Sequence, residues 1–195
     1  MPLKLEEALQ WAGEMIHMRS SDIALEIGSA PGGGAYALLE RGLQVYGVDP
    51  SPRGREHAPI VAKHPRFTAV LARLGQPGLL ERLPSEVDWL LCDVNIAPYI
   101  AVLHMAELCS HCRQRLQGIF YTCKLGERLW SRPDQMLDEL DAVKARLAAA
   151  CDLVSIESVQ LSANRQELLI LGVTQRGLAR TQRLAGVMRR RTHVI

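Results

Sequence analysis

Ile23-Ala24-Leu25-Glu26-Ile27-Gly28-Ser29-Ala30-Pro31-Gly32-Gly33-Gly34 is the stretch whose reading decides the fold. Its first five residues form a short apolar run, too brief for a helix and suited to a buried strand. The glycines that follow permit a tight turn and let another group approach the main chain closely. Ala35 to Arg41 returns to helical character, and Gln44-Val45-Tyr46-Gly47-Val48-Asp49 supplies a second strand that ends in an acid before the turn residues Pro50-Ser51-Pro52. Strand, loop, helix and strand make a βαβ unit.

The same reading extends outward in both directions. Lys4 to His17 sets Leu5, Ala8, Leu9, Ala12 and Ile16 near one face, as in an amphipathic opening helix. Further strands are expected at Arg66–Leu71, Val87–Cys92, Gly118–Cys123, Leu153–Leu161 and Glu167–Thr174, with helices over Tyr99–Leu116 and Pro133–Ala150. This alternation predicts a parallel sheet covered by helices on both faces. The last two strands are separated only by Ser162–Gln166, too few residues for a helical crossover, so they should form an antiparallel hairpin. One domain over residues 1–175 is expected, followed by a basic tail over 176–195.

At 195 residues, 48% hydrophobic and 23% charged, the chain is long enough to bury one sizeable core. No segment approaches the roughly 20 apolar residues that span a bilayer, so neither secretion nor membrane insertion is expected. The five cysteines (Cys92, Cys109, Cys112, Cys123, Cys151) are an odd number, and at least two fall in buried strands, which suits a reduced cytoplasmic protein. Cys109-Ser110-His111-Cys112 has the spacing of half a zinc site or a redox pair, but no second ligand pair follows at suitable spacing. These cysteines read as helix core, and no metal is expected. Residues 176–195 hold six arginines and no acid, leaving 17 basic against 21 acidic side chains elsewhere. Arg176, Arg180 and Arg183 are spaced to share a helical face and precede Arg189-Arg190-Arg191, a cluster that serves either for phosphate contacts or as a solvated terminus.

In open α/β sheets, ligands bind beyond the carboxyl ends of the strands, where the glycine loop lies. Asp49, 21 residues after Gly28, is placed to accept hydrogen bonds from a ribose diol. Nicotinamide-binding proteins share this logic, but their Gly-x-Gly-x-x-Gly spacing is absent. Glu26-x-Gly28-x-x-Pro31-Gly32-Gly33 instead resembles the first motif of S-adenosylmethionine enzymes. That resemblance implies a cofactor site of Glu26, Gly28, Ala30, Pro31, Gly32, Gly33, Gly34, Asp49 and Asp93, with Glu26 near the cofactor's ammonium group. It also implies a Rossmann-like class I methyltransferase fold, with a mostly parallel seven-stranded sheet and one antiparallel strand.

Four further residues stand together. Asp93 ends the strand Trp89-Leu90-Leu91-Cys92, Lys124 ends Phe120-Tyr121-Thr122-Cys123, Glu167 opens the last strand, and Lys4 opens the first helix. With Lys4–Ala8, Ala30–Gly33, Val48-Asp49, Trp89–Asp93, Lys124-Leu125 and Arg165-Gln166-Glu167, the chain resembles the FtsJ-like ribose 2′-O-methyltransferases. It is most similar to the branch that methylates a cytidine ribose in bacterial 23S rRNA. The resemblance extends in order to about Val173. It implies a catalytic Lys-Asp-Lys-Glu tetrad of Lys4, Asp93, Lys124 and Glu167, with Lys124 either removing the proton of the 2′-hydroxyl or positioning it. It implies RNA, chiefly rRNA, as partner, with no DNA or membrane, and a monomeric cytoplasmic enzyme.

The chain departs from that family in three ways. Gly34 stands where a bulky aromatic usually follows Pro-Gly-Gly, and Leu71-Ala72-Arg73 lacks the acid that meets the adenine amino group. This branch normally carries an RNA-binding module ahead of its catalytic domain, whereas this sequence opens on the catalytic domain, so substrate identity is not carried over; the basic tail, with Arg53, Arg55 and Arg128 around the cleft, is the candidate replacement for that surface. Aromatic residues are sparse at 5%, which favours backbone and shape recognition over base stacking. The rival readings are a noncatalytic RNA-binding protein with a degenerate pocket and a methyltransferase acting on a small molecule or protein.

Overall fold

Ile23–Ile27 (β1) buries its last four side chains in succession, the pattern of a strand covered on both faces. The computed structural model describes residues 3–50, 56–126, 131–162 and 166–191. β1 pairs in parallel with Gln44–Asp49 (β2) on one side and Trp89–Cys92 (β4) on the other. Phe67–Leu71 (β3) extends the sheet beyond β2, and Gly118–Cys123 (β5) extends it beyond β4. Leu168–Thr174 (β7) and Leu153–Val159 (β6) complete the order β3-β2-β1-β4-β5-β7-β6. β7 alone runs against the other six strands, antiparallel to both β5 and β6, and it forms the expected hairpin with β6. Central β5 and β7 are buried along their whole length, whereas edge strands β3 and β6 are largely exposed or half-buried.

The helices are Leu3–Ala12 (α1), Gly33–Glu40 (α2), Pro59–Ala62 (α3), Pro98–Cys112 (α4), Pro133–Ala150 (α5) and Gln175–Arg191 (α6). Pro59, Pro98 and Pro133 each stand in the first turn of a helix, where the missing amide has no intrahelical partner to lose. The alternation of side chains across the sheet makes two cores. On one face Leu5 and Ala8 of α1 and Leu38 of α2 meet Trp89, Leu91 and Phe120. On the other, Met105 of α4 and Val143 and Leu147 of α5 meet Leu90, Ile119 and Tyr121. The first helix ends earlier than expected, at Ala12; Gly13, with φ +41°, begins a single 3-10 turn to Met15. No described helix is long and apolar enough to cross a membrane.

Two sequence expectations are corrected. Cys109 and Cys151 lie with their Cα atoms 5.2 Å apart and form a disulfide, because α4 and α5 pack side by side at that point; they are not a reduced pair of core thiols. Cys92, Cys112 and Cys123 are free and buried, and no group of His, Cys, Asp and Glu is placed for a metal among the described residues.

The second correction concerns the basic tail. Residues 175–191 form a helix packed on β6 and β7, and Arg180 points inward. Its Nη1 lies 2.6 Å from Asp22 Oδ2 and its Nη2 3.5 Å from Asp88 Oδ1. Trp89 Nε1 and the Arg19 amide also donate to Asp22, while Arg115 and the Ile23 amide donate to Asp88. Both carboxylates are almost fully buried, so Arg180 is committed to them and not to a phosphate. Arg183 remains exposed, with its Nε on the carbonyl of Ala179. Arg53, Arg55, Arg128 and Arg165, and the side chains of Arg189, Arg190 and Arg191, lie outside the described residues.

Candidate active site and cofactor pocket

The strand order reverses between β1 and β4, and the crevice outside their carboxyl ends is where such sheets bind ligands. A cavity of about 180 Å³ opens there. The glycine loop forms one wall, with Gly28, Ala30, Pro31, Gly33 and Gly34; Glu26, Asp93, Phe120, Thr122 and Lys4 complete it. A wider, shallow groove of about 1070 Å³ runs along α1 past Glu7, Gln10, His17 and Ser162, and none of the tetrad lines it.

Gly28 is demanded by the loop. Its φ is +80°, and a Cβ there would collide with the main-chain carbonyl of Asp93, so β1 and β4 could not close at their ends. At Gly34 an added Cβ would meet Glu26 Oε1, so any side chain there would displace the Glu26 carboxyl. The missing aromatic is therefore not an empty space. The Glu26 carboxyl fills it.

Glu26 is the strongest electrostatic anomaly of the cavity. Burial first, then the negative charges of Asp93 and Asp49, push its pKa up to about 8, although a hydrogen bond from the Ala35 amide pulls the other way. Its Oε2 is buried without a partner. A buried, unsatisfied carboxyl oxygen is the feature a ligand cation would complete. Asp49, at the end of β2, accepts a hydrogen bond from the Ala30 amide at 3.2 Å. No acid follows β3; Ala72 is buried and its amide donates to Asp49 O.

All four members of the expected tetrad come together. Because β7 is antiparallel, its first residues lie beside the end of β5, with Cys123 paired to Leu168. Lys124 and Glu167, one residue beyond that pair, are thus brought to the same edge. Lys124 Nζ is 2.9 Å from Asp93 Oδ1 and 3.5 Å from Glu167 Oε1. Lys4, from the first turn of α1, sits on the other oxygens, 3.4 Å from Asp93 Oδ2 and in contact with Glu167 Oε2. The two lysines and two acids alternate, each cation between two anions. Burial lowers the pKa of Lys4, but its hydrogen bond to Glu167 and the charges of Asp93 and Glu167 outweigh that, so its pKa stands above 10.5 and it remains an ammonium. Lys124 and Glu167 stand beside the cavity lining, Lys4 and Asp93 within it.

Comparison with known proteins finds similarity over most of the chain. The chain is 31% identical over 173 residues to the ribosomal RNA large subunit methyltransferase M of Laribacter hongkongensis, covering 86% of this chain and 45% of that protein. The chain is a relative of the large-subunit rRNA methyltransferases M. It spans about half the length of the curated relatives it matches. This bears out the resemblance drawn from the motifs. No protein-family model matches the chain. Among solved structures, a hemolysin candidate from Lactococcus lactis aligns at a TM-score of 0.65 with 16% identity, covering 91% of this chain and 88% of that one. Fibrillarin of Aeropyrum pernix, solved with natively bound S-adenosyl-L-methionine, aligns at 0.57 with 21% identity, covering 87% and 74%. These matches share the fold of this methyltransferase relative.

Sequence reasoning missed several residues of the site. Leu5 and Ala8 of α1, with Phe120, Thr122, Leu161 and Leu169, line the cavity. The period of α1 placed Leu5 and Ala8 on its buried face, but nothing in the pattern said which end of the sheet that face covers. His57, hydrogen-bonded to Ser29 in the glycine loop, carried no motif at all.

Proposed function

We propose that the protein is an S-adenosylmethionine-dependent RNA methyltransferase that methylates a ribose 2′-hydroxyl of rRNA. The observation that carries this reading is the alternating cluster of Lys4, Asp93, Lys124 and Glu167 at the edge of a cavity whose wall holds the unpartnered carboxyl of Glu26. The cofactor fits that wall by chemistry: Glu26 Oε2 would take its ammonium group, the main chain of Gly28–Gly34 its body, and Asp49 its ribose diol. Bound there, it supplies an electrophilic methyl group on a positively charged sulfur.

The protein's own part is to hold the nucleophile in line and manage its proton. A ribose hydroxyl is a weak nucleophile at neutral pH and must lose its proton as it attacks, either to Lys124 or to solvent while Lys124 orients the hydroxyl. Lys124, fixed between two carboxylates, is placed to contact that hydroxyl. Lys4, kept as an ammonium, holds Asp93 and Glu167 in register from the opposite side. Positioning of this kind supplies much of the rate for a transfer that needs an in-line approach.

The test is transfer of label from methyl-labelled cofactor to rRNA, followed by mapping of ribose methylation. Label should appear on a ribose 2′-oxygen, and Lys124→Ala should lower the rate by about 10²–10⁴-fold, the range for losing a positioned proton-transfer group. Equal transfer by wild type and Lys124→Ala refutes the role of Lys124. Label on bases or protein, with none on ribose, refutes the substrate assignment.

A further inference from the structure

The glycine loop is gripped by a segment that no motif marks. His57 Nε2 lies 2.7 Å from Ser29 Oγ. The imidazole packs edge-on against Phe67 of β3, with ring centroids 4.8 Å apart. One residue on, the Ala58 amide donates to Pro31 O at 2.9 Å, and Val61 of α3 fills the space under Gly32, where an added Cβ would come within 3.0 Å of its side chain. Asp49 meanwhile accepts from the Ala30 amide. Ser29, Ala30 and Pro31 are thus each tied to a different group at the end of β2 or beyond it: His57, Asp49 and Ala58.

Ser29, His57 and Asp49 have the composition of a hydrolytic triad, but Ser29 is only 2% exposed and packs beneath β2, near Gly47. Ser29 borders the cavity, but a hydroxyl this buried and turned onto His57 serves as a latch and not as a nucleophile. Burial lowers the pKa of His57 below its ordinary 6.5, against the opposing pull of Asp49. At neutral pH the imidazole is therefore uncharged, and its Nε2 is able to share one proton with the hydroxyl.

We propose that His57 is a positioning residue for the adenosine end of the cofactor, acting through Ser29 to fix the loop Gly28–Pro31 against Asp49. This inference rests on the cofactor reading above and adds a residue to it. The latch holds the part of the loop nearest the ribose acid, whereas Glu26 addresses the far, amino-acid end of the ligand. The two contributions therefore separate by ligand.

Calorimetry with S-adenosylhomocysteine and with 5′-methylthioadenosine, which lacks the amino-acid end, makes that separation. His57→Ala should weaken both ligands equally, by about 5-fold, the worth of one net hydrogen bond. Ser29→Ala should do the same, and the double variant should be no weaker than either single one, because both remove one interaction. His57→Gln, which keeps a hydrogen-bonding group near Ser29, should recover most of the affinity. Thermal melts of each variant check that the fold is retained; if His57→Ala does not fold, Ser29→Ala and His57→Gln carry the comparison. The proposal is overturned if the latch variants bind both ligands as wild type does, if they weaken S-adenosylhomocysteine alone, or if the single effects add. Wild-type protein that binds neither ligand would overturn the cofactor reading itself, a distinct result.

Discussion

Glu26→Gln should separate cofactor binding from stability and move them in opposite directions. In the folded protein burial and the neighbouring acids push the Glu26 carboxyl up to about 8, against an ordinary value of 4.5. An acid with a raised pKa keeps its proton in the native state while the unfolded chain gives it up, so native protein binds more protons and stability falls as pH rises between those two values. At about 1.4 kcal/mol per pH unit, the loss reaches roughly 3 kcal/mol by pH 7 and levels off near 5 kcal/mol above pH 8. Glutamine carries no such penalty. In a chain of this length, about 3 kcal/mol corresponds to roughly 6–12 °C in melting temperature. Melts of ligand-free wild type and Glu26→Gln should therefore agree at pH 4.5 and diverge towards pH 8, with the variant the more stable. Binding should run the other way. Pairing with an ammonium group requires ionised Glu26 and a protonated amine whose own pKa is about 7.7–8.0. Roughly one Glu26 in a hundred is ionised at pH 6 against half at pH 8, where about half of the amine is still charged, so wild-type affinity should rise about 20-fold between those pH values. Glu26→Gln should bind weakly and with little dependence on pH in that range. Parallel stability curves for the two proteins, or a flat wild-type affinity from pH 6 to 8, would refute the reasoning.

Other perturbations test the remaining parts of the site. Gly34→Ala should push the Glu26 carboxyl aside and weaken S-adenosylhomocysteine by about 10-fold or more, the cost of losing a charge-assisted hydrogen bond, with little change in melting temperature. Adding the shorter acid, in Glu26→Asp/Gly34→Ala, should return part of the affinity, and calorimetry that finds no recovery counts against the Gly34–Glu26 contact. Lys124→Ala should abolish most methyl transfer while leaving cofactor affinity within a few-fold of wild type, because Lys124 stands outside the cavity lining. Arg180→Met should lower unfolding free energy by about 3 kcal/mol in denaturant titrations by stranding charge on Asp22 and Asp88, without changing cofactor affinity.

The central architecture was legible because it is written in local patterns. β1, β2, β5 and α5 fall where apolar runs and turn residues put them, and the five-residue gap after Leu161 required the β6–β7 hairpin that brings Glu167 to Lys124. Three of the tetrad residues sit at strand ends, and such ends converge, but the set as a whole, with Lys4 lying 163 positions from Glu167, could be named only through the family resemblance. What stayed hidden depends on packing between distant segments. Arg180 looked like one of three arginines on a basic face, and only the burial of Asp22 and Asp88 turns it inward. Cys109 and Cys151 are 42 residues apart, on elements whose adjacency no spacing announces. Gly34 read as a lost side chain until the Glu26 carboxyl was seen to occupy the space.

The same strands carry acids at both ends, and how each acid is satisfied separates structure from function. Asp22 and Asp88, where β1 and β4 begin, are closed off by Arg180, Arg115, Trp89 and two main-chain amides. Arginine is a rigid, permanently charged donor, and its network at that end pins α6 to the sheet. Glu26 and Asp93, where those strands end, face the cavity, and their partners are lysines from α1 and β5 or no side chain at all. Lysine carries its charge on a long flexible stem; an unpartnered carboxyl waits for a cation. One sheet thus has fully paired acids at the end where β1 and β4 begin and an unsatisfied carboxyl at the end that faces the cavity. That division is why Arg180→Met should unfold the protein more easily yet leave the cofactor site intact, and why Glu26→Gln should do the reverse.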